Sequence, residues 1–159
     1  MNSETADIMK EYGKRNYSQA TADASEYILA WNLTKRGLYA QKVSMTGFDI
    51  FAVDPKGNVF SKKAKALISV KAIGGTICGR LLKIDEMEKI ADEMWVEPRN
   101  LYLAIGFFQK NDIRSIVFYL IKLDEAKKHL TIGAKGKTVF RIKQDEADEL
   151  VKENRAIKI

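Results

Sequence analysis

The chain has 159 residues, 46% of them hydrophobic and 30% charged, which is enough for one domain with a real core and excludes a disordered chain. No apolar run reaches the roughly 18 residues of a membrane-spanning helix. A single cysteine, Cys78, and a single histidine, His129, exclude a disulfide framework and a Cys/His zinc cluster. The amino terminus has no apolar signal segment, so we expect a cytoplasmic protein with no membrane partner.

The net charge is +6, which favours an anionic partner such as nucleic acid. The basic residues are unevenly distributed, because positions 55–84 contain no Asp or Glu and a second basic run covers 122–143. Both runs are also compatible with solvated loops. The candidate nucleic-acid contacts in them are Lys62, Lys63, Lys65, Arg80, Lys83, Lys135 and Lys137.

The first predicted helix covers Ser18–Arg36, after a polar and partly frayed segment, 1–17. Apolar residues occur on two stripes of this helix, so we expect it to be buried on much of its circumference. We also expect both tryptophans, Trp31 and Trp95, to lie in the core. Five strands are predicted from apolar and alternating runs, at Tyr39–Met45, Phe48–Asp54, Ala66–Ile73, Leu101–Phe108 and Ser115–Leu123.

A second helix is predicted over Asp85–Trp95, where Asp85 and Glu88 have the spacing of a capping box. Weaker elements are also predicted, extended at Arg80–Ile84 and Lys137–Ile142 and helical at Asp124–His129 and Gln144–Asn154. This order predicts a single α/β domain over residues 1–159, with a central mixed sheet of about five strands flanked by helices.

Three charged residues stand in apolar surroundings. Asp49 opens an apolar strand, Lys71 lies within another, and Glu26 lies on the apolar stripe of the first helix. Burying a charge is costly unless a partner or a task compensates. If the two strands pair, Asp49 can lie beside Ser69 and Lys71, because side chains alternate across a sheet.

This combination suits hydrolysis of a phosphodiester. The reaction needs oxygen ligands for a hard cation, Mg²⁺ or Mn²⁺, and a second positive group to orient the attacking water. Asp49 would be the main metal ligand, Glu26 a second ligand, and the Val70 backbone carbonyl a neutral one. Lys71 would orient the nucleophile. Each has a plainer explanation: Asp49 as a turn residue, Lys71 as a snorkelling side chain and Glu26 as a helix-margin residue.

The same residues resemble a known family. Glu26 on a helix, then Gly47-Phe48-Asp49-Ile50, then Leu67-Ile68-Ser69-Val70-Lys71-Ala72 look like the PD-(D/E)XK nuclease pattern, with the greatest likeness to archaeal-type Holliday-junction resolvases. The resemblance covers about Ser25 to Leu123. It implies a restriction-endonuclease-like fold, a metal-dependent endodeoxyribonuclease, branched DNA as a substrate and a homodimer.

The sequence departs from the family pattern at Ser69, where the family has its second carboxylate. Either a downstream acid, one of Asp85, Glu86 or Glu88, takes over that role, or the site is degenerate. In the second case the protein binds nucleic acid without cutting it. Ser69 is counted with Asp49, Lys71 and Glu26 among the catalytic candidates.

Overall fold

The computed structural model describes the backbone of residues 3–159, and their side chains except those of residues 3–6, 8, 9, 12, 14 and 15. In chain order its helices are α1 (Ser3–Lys35), α2 (Ile84–Glu93), α3 (Leu123–Ala126) and α4 (Gln144–Lys152). Its strands are β1 (Tyr39–Met45), β2 (Phe48–Asp54), β3 (Ala64–Gly74), β4 (Ile77–Leu81), β5 (Leu101–Phe108), β6 (Val117–Lys122), β7 (Leu130–Ile132), β8 (Thr138–Lys143) and β9 (Ala156–Lys158).

Six strands form the central sheet in the order β1-β2-β3-β5-β6-β9. Strands β3 and β5 run parallel and every other neighbouring pair is antiparallel, so the predicted mixed sheet is confirmed. The chain between β3 and β5 contains α2, the crossover that a parallel pair requires. The sheet has six strands rather than about five because the three-residue β9 joins its edge.

A second, three-stranded sheet, with the order β4-β8-β7, was not predicted as a separate unit. The predicted extended segment at Lys137–Ile142 largely matches β8, but of Arg80–Ile84 only Arg80 and Leu81 lie in β4, and Ile84 begins α2. Cys78, Phe140 and Ile142 from this small sheet pack with Ala147 and Leu150 of α4 in one buried cluster. A three-residue strand such as β7 shows no periodicity in a sequence, so only its pairing with β8 identifies it.

Helix α1 begins at Ser3 rather than at the predicted Ser18, and Met1 and Asn2 lie outside the described residues. Leu29, Ala30 and Leu33 are buried against the central sheet, as their spacing predicted.

The prediction that α1 is buried on much of its circumference was wrong. Of the second apolar stripe, Tyr27, Ile28 and Trp31, only Ile28 packs against the core, whereas Tyr27 is 64% exposed and Trp31 62% exposed. The reason is that the sheet covers only one side of the helix. Their rings instead lie near ammonium groups, of Lys42 for Tyr27 and of Lys35 for Trp31.

The opposite face of the central sheet is covered by α2 and by the small sheet with α4. Met87 and Ala91 of α2 pack against Phe48 and Leu67. Helix α2 begins at Ile84, with Lys83 at its N-cap and no side-chain cap bond, so the predicted capping box is not formed. Within residues 3–159, no helix is both long enough and apolar enough to cross a membrane.

Candidate active site

The candidate site lies where β3 continues past the start of β2. The β2–β3 pairing runs from Asp54 opposite Ala64 to Ile50 opposite Ile68. Beyond this point β3 continues to Gly74 with β5 as its strand partner. The last residues of β3 therefore have a free edge on the β2 side, and a cleft opens there.

Asp49 lines this cleft. Its Oδ2 accepts a hydrogen bond of 2.7 Å from the backbone N–H of Val70. No ion pair to Asp49 occurs in the part of the chain that the structure describes. The half-buried side chain is thus oriented by one backbone donor and, among the described residues, is not paired with a cation.

The cleft has a volume of about 430 Å³. Five of the predicted residues line it: Glu26, Asp49, Val70, Lys71 and Arg80. Strand β3 supplies Val70 and Lys71, α1 supplies Glu26, and β4 supplies Arg80. The fold thus brings together residues from α1, β2, β3 and β4 that were predicted as catalytic or metal-binding and, for Arg80, as a nucleic-acid contact.

Sequence reasoning missed several polar groups at the cleft. Tyr17, Ser18 and Thr21 of α1 line it, as does Asn111 after β5. Tyr17 lies in the segment that we expected to be frayed, whereas Ser18 and Thr21 lie in the predicted helix. The continuation of α1 as helix before Ser18 is what brings Tyr17 to the cleft.

Lys42 of β1 was also missed. Its Nζ lies 3.0 Å from Glu26 Oε2 and 3.2 Å from Asp23 Oδ1. The pKa of Glu26 is raised, first by burial and then by the negative charge of Asp49, against the lowering hydrogen bond from Lys42. Glu26 and Asp49 are therefore close enough to repel each other. No sequence signal distinguished Lys42 from other strand lysines.

Lys71 and Arg80 supply positive charge on the same cleft. Both act electrostatically on the Cys78 thiol, whose pKa burial raises to about 11 although the two cations lower it. Lys71 is half-buried, and the described residues include no ion-pair partner for it. Two carboxylates and two cations thus face one space, an arrangement able to bind both a metal ion and a phosphate.

Other predicted residues lie elsewhere. Ser69 is 2% exposed and does not line the cleft. The three downstream acids, with Lys83, border a separate cleft between α2 and the small sheet. Glu86 pairs with Lys83, and Glu88 with Lys127. The structure therefore does not bring Asp85, Glu86 or Glu88 to Asp49.

The predicted nucleic-acid contacts separate into three places. Arg80 is at the candidate site and Lys83 at the α2 cleft. Lys62, Lys63 and Lys65 border a third cleft with Trp95 and Arg99. Lys135 and Lys137 are exposed in the turn between β7 and β8. The basic surface is thus spread over several faces of the molecule.

The donor set at the candidate site suits one kind of metal. No group of three or more His, Cys, Asp or Glu side chains able to hold a metal occurs among the described residues. Two nearby carboxylates, Glu26 and Asp49, nevertheless fit Mg²⁺, which keeps several waters and uses one or two carboxylates with substrate phosphates. Burial and the negative charge of Asp49 both raise the pKa of Glu26, so a cation bound here would stabilise its ionised form. The residues therefore fit a weakly held hard cation.

Comparison with known proteins supports the fold. The chain is similar in structure to Hjc, a Holliday junction resolvase of the archaeal hyperthermophile Archaeoglobus fulgidus. The TM-score is 0.52 at 13% sequence identity, over 80% of this chain and 88% of that one. No protein-family model matches the sequence, and no curated protein matches it. The chain thus has the mixed α/β fold of a resolvase, as the sequence resemblance predicted.

Proposed function

We propose that this protein is a metal-dependent endodeoxyribonuclease of PD-(D/E)XK type. The observation that carries the proposal is the meeting of Glu26, Asp49 and Lys71 in one cleft at the free edge of β3. The resolvase-like fold supports it, since it provides the same framework of helix and sheet. Branched DNA is the proposed substrate class, because the structural neighbour is a Holliday junction resolvase.

Asp49 and Glu26 would hold the cation, with the carbonyl of Val70 as a neutral third donor. When bound, Mg²⁺ or Mn²⁺ would neutralise phosphate charge and favour ionisation of a water. Asp49 is oriented for this by the Val70 N–H. Lys42 would partly offset the charge of Glu26 and keep it ionised.

Lys71 would orient the attacking water and stabilise the negative charge that develops on the phosphoryl oxygens. Its neighbour Arg80 would bind the phosphate through its guanidinium group. In this proposal Ser69, which is buried inside the protein, is structural and is not a metal ligand. Asp85, Glu86 and Glu88 take no part, because they border another cleft.

The test is cleavage of labelled four-way junction, duplex and single-stranded DNA with Mg²⁺ or Mn²⁺. We expect metal-dependent cutting that is lost in Asp49→Ala and Lys71→Ala. Lys89→Ala, which removes an exposed lysine from α2, is the matched control and should cut normally. Asp85→Ala should also cut normally. If Asp85→Ala alone lost cutting, Asp85 on α2 would supply the carboxylate that the family pattern has at position 69.

A second function, nucleic-acid binding without cutting, is favoured by one observation. The site has two carboxylates, and Ser69 stands where the family pattern has another. Under this alternative, DNA is bound with a steep salt dependence and is not cut with either metal. Asp49→Ala would then leave affinity unchanged or raise it, because a negative charge is removed from a DNA-binding surface.

The homodimer implied by the family resemblance stays a prediction. Light scattering at micromolar protein concentration tests it. A mass of twice the 18.0 kDa of one chain is the expected result.

A further inference from the structure

Trp95 combines two unusual properties. It is 92% exposed, and its backbone has φ of +59°, a left-handed conformation that is an outlier for a bulky residue. It directly follows Met94, the C-cap of α2. The prediction that Trp95 lies in the core was therefore wrong.

The local structure is a Schellman motif. The N–H of Val96 donates to the Ala91 carbonyl at 3.0 Å, and the N–H of Trp95 to the Asp92 carbonyl at 3.2 Å. The residue at this left-handed position is usually glycine. The apolar contact of the motif is made by Val96 and Ala91, which are both buried in the α2 cluster. Folding of this turn therefore gains nothing from the tryptophan ring.

The surroundings of Trp95 are strongly basic. It borders a cleft of about 280 Å³ with Lys62, Lys63, Lys65 and Arg99. The single carboxylate at this cleft, Glu97, is paired with Arg99. The three lysines are exposed, and within the described residues they have no ion-pair partner. We call these five residues, Trp95 with its four cations, the Trp95 patch.

A solvent-exposed aromatic ring beside unpaired cations is the composition that binds single-stranded nucleic acid. The cations contact phosphates and the ring stacks on a base. A duplex would use the cations alone, since its bases are already stacked on each other. An acidic protein would also be attracted by the lysines, but it would leave the strained tryptophan without a role.

We infer that the Trp95 patch binds an unpaired segment of DNA, with a base on the indole and phosphates on Lys62, Lys63 and Lys65. The patch is distinct from the candidate active site. Lys65 and Lys71 lie six residues apart on β3, which at about 3.3 Å per residue is roughly 20 Å. The inference extends the proposed function: the patch would hold an unpaired part of a branched substrate while the cleft holds the bond to be cut.

Binding is measured in EDTA with Asp49→Asn protein, so that no cutting occurs. Adding Trp31→Phe leaves Trp95 as the single tryptophan and as a fluorescent reporter. We expect a short oligo(dT) to quench Trp95, and a duplex of equal length to bind without quenching. The salt slope for oligo(dT) should fall by about 0.7 in Lys65→Gln.

The decisive variant is Trp95→Gly, made with Trp31 intact and followed with labelled oligo(dT). Glycine suits the positive φ, so the melting temperature should stay the same or rise. Affinity for oligo(dT) should fall roughly 5- to 100-fold, the equivalent of one lost base stack. Trp31→Ala removes the other exposed tryptophan and should leave affinity unchanged.

Three results would overturn the inference: unchanged affinity in a folded Trp95→Gly protein, equal quenching by duplex, or polyglutamate binding as tightly as oligo(dT). All are read without cutting, so they do not depend on nuclease activity. Conversely, a protein that binds oligo(dT) through Trp95 but cuts no substrate would refute the proposed nuclease and leave the patch established.

Discussion

Strand β2 carries an aspartate at each end, and the two are used in opposite ways. Asp54 is fully buried, and its carboxylate accepts hydrogen bonds from four backbone N–H groups, of Gly57, Asn58, Val59 and Phe60, at 2.7 to 3.0 Å. Asp49 is half-buried and accepts one.

The pKa of Asp54 reflects its backbone donors. Burial would raise the pKa of Asp54, but its four backbone donors outweigh burial and hold it below the ordinary value. Its charge stabilises the loop between β2 and β3 through these four hydrogen bonds. The charge of Asp49 instead repels Glu26 across the cleft. The number of backbone donors at a carboxylate thus separates a structural acid from one able to bind a cation.

The largest expected effect is on cutting in Asp49→Asn. Loss of the negative ligand should reduce cutting more than about 100-fold, because even the partners of metal ligands are worth 10- to 100-fold. The amide oxygen still accepts from Val70, so unfolding free energy should change by less than about 1 kcal/mol. Cleavage rates and urea denaturation check this. A large loss of stability would mean that Asp49 is structural, like Asp54.

Asp54→Asn should show the reverse pattern. We expect a loss of about 3 kcal/mol in unfolding free energy, because buried N–H groups lose a charged acceptor. Since the native pKa is lowered, this stabilisation is present above the unfolded pKa and is lost as pH falls through the native pKa. Urea denaturation at neutral and acid pH measures it. A stability loss that persists unchanged in acid would contradict this account.

Metal binding offers a third comparison. Mn²⁺ at ten times its Kd should raise the unfolding free energy of the wild type by about 1.4 kcal/mol. The gain should vanish in Asp49→Asn, whereas Asp145→Asn, an exposed acid on α4, should keep it. Thermal denaturation with and without Mn²⁺ checks this. Equal stabilisation of both variants would place the metal away from the cleft.

The smallest expected effect concerns pH. Because the pKa of Glu26 is raised, its ionised form is lost at a higher pH than for an ordinary glutamate, and Mn²⁺ affinity should fall there. Lys42→Met removes a hydrogen bond that lowers the pKa of Glu26. The pH at which Mn²⁺ affinity falls should therefore be higher still in this variant. Titration of Mn²⁺ affinity between pH 5 and 8 tests the direction. If the fall of Mn²⁺ affinity at acid pH occurs at the same pH in Lys42→Met as in the wild type, Glu26 takes no part in metal binding.

Much of the fold could be predicted from local patterns. Strands β1, β2 and β5 begin and end at the predicted residues, because alternation or continuous apolar runs reflect which faces are buried. Strands β7 and β9, of three residues each, could not be predicted, since three residues are too few to show a periodicity and only the pairing with β8 and β6 identifies them. The exposure of Trp31 and Trp95 was also missed, because hydrophobicity does not report where a neighbouring element ends.

The sequence by itself determined most of the longer elements and the unusual charges within them, Glu26, Asp49 and Lys71, because a charged residue in an apolar run is visible without a structure. Only the tertiary structure decided which charges meet. It brought Arg80 to the cleft of Glu26 and Asp49, paired Lys42 with Glu26, and placed the acids of α2 in another cleft. The physical reason is that strand register and the path of each helix set side-chain neighbours over distances that no local pattern encodes.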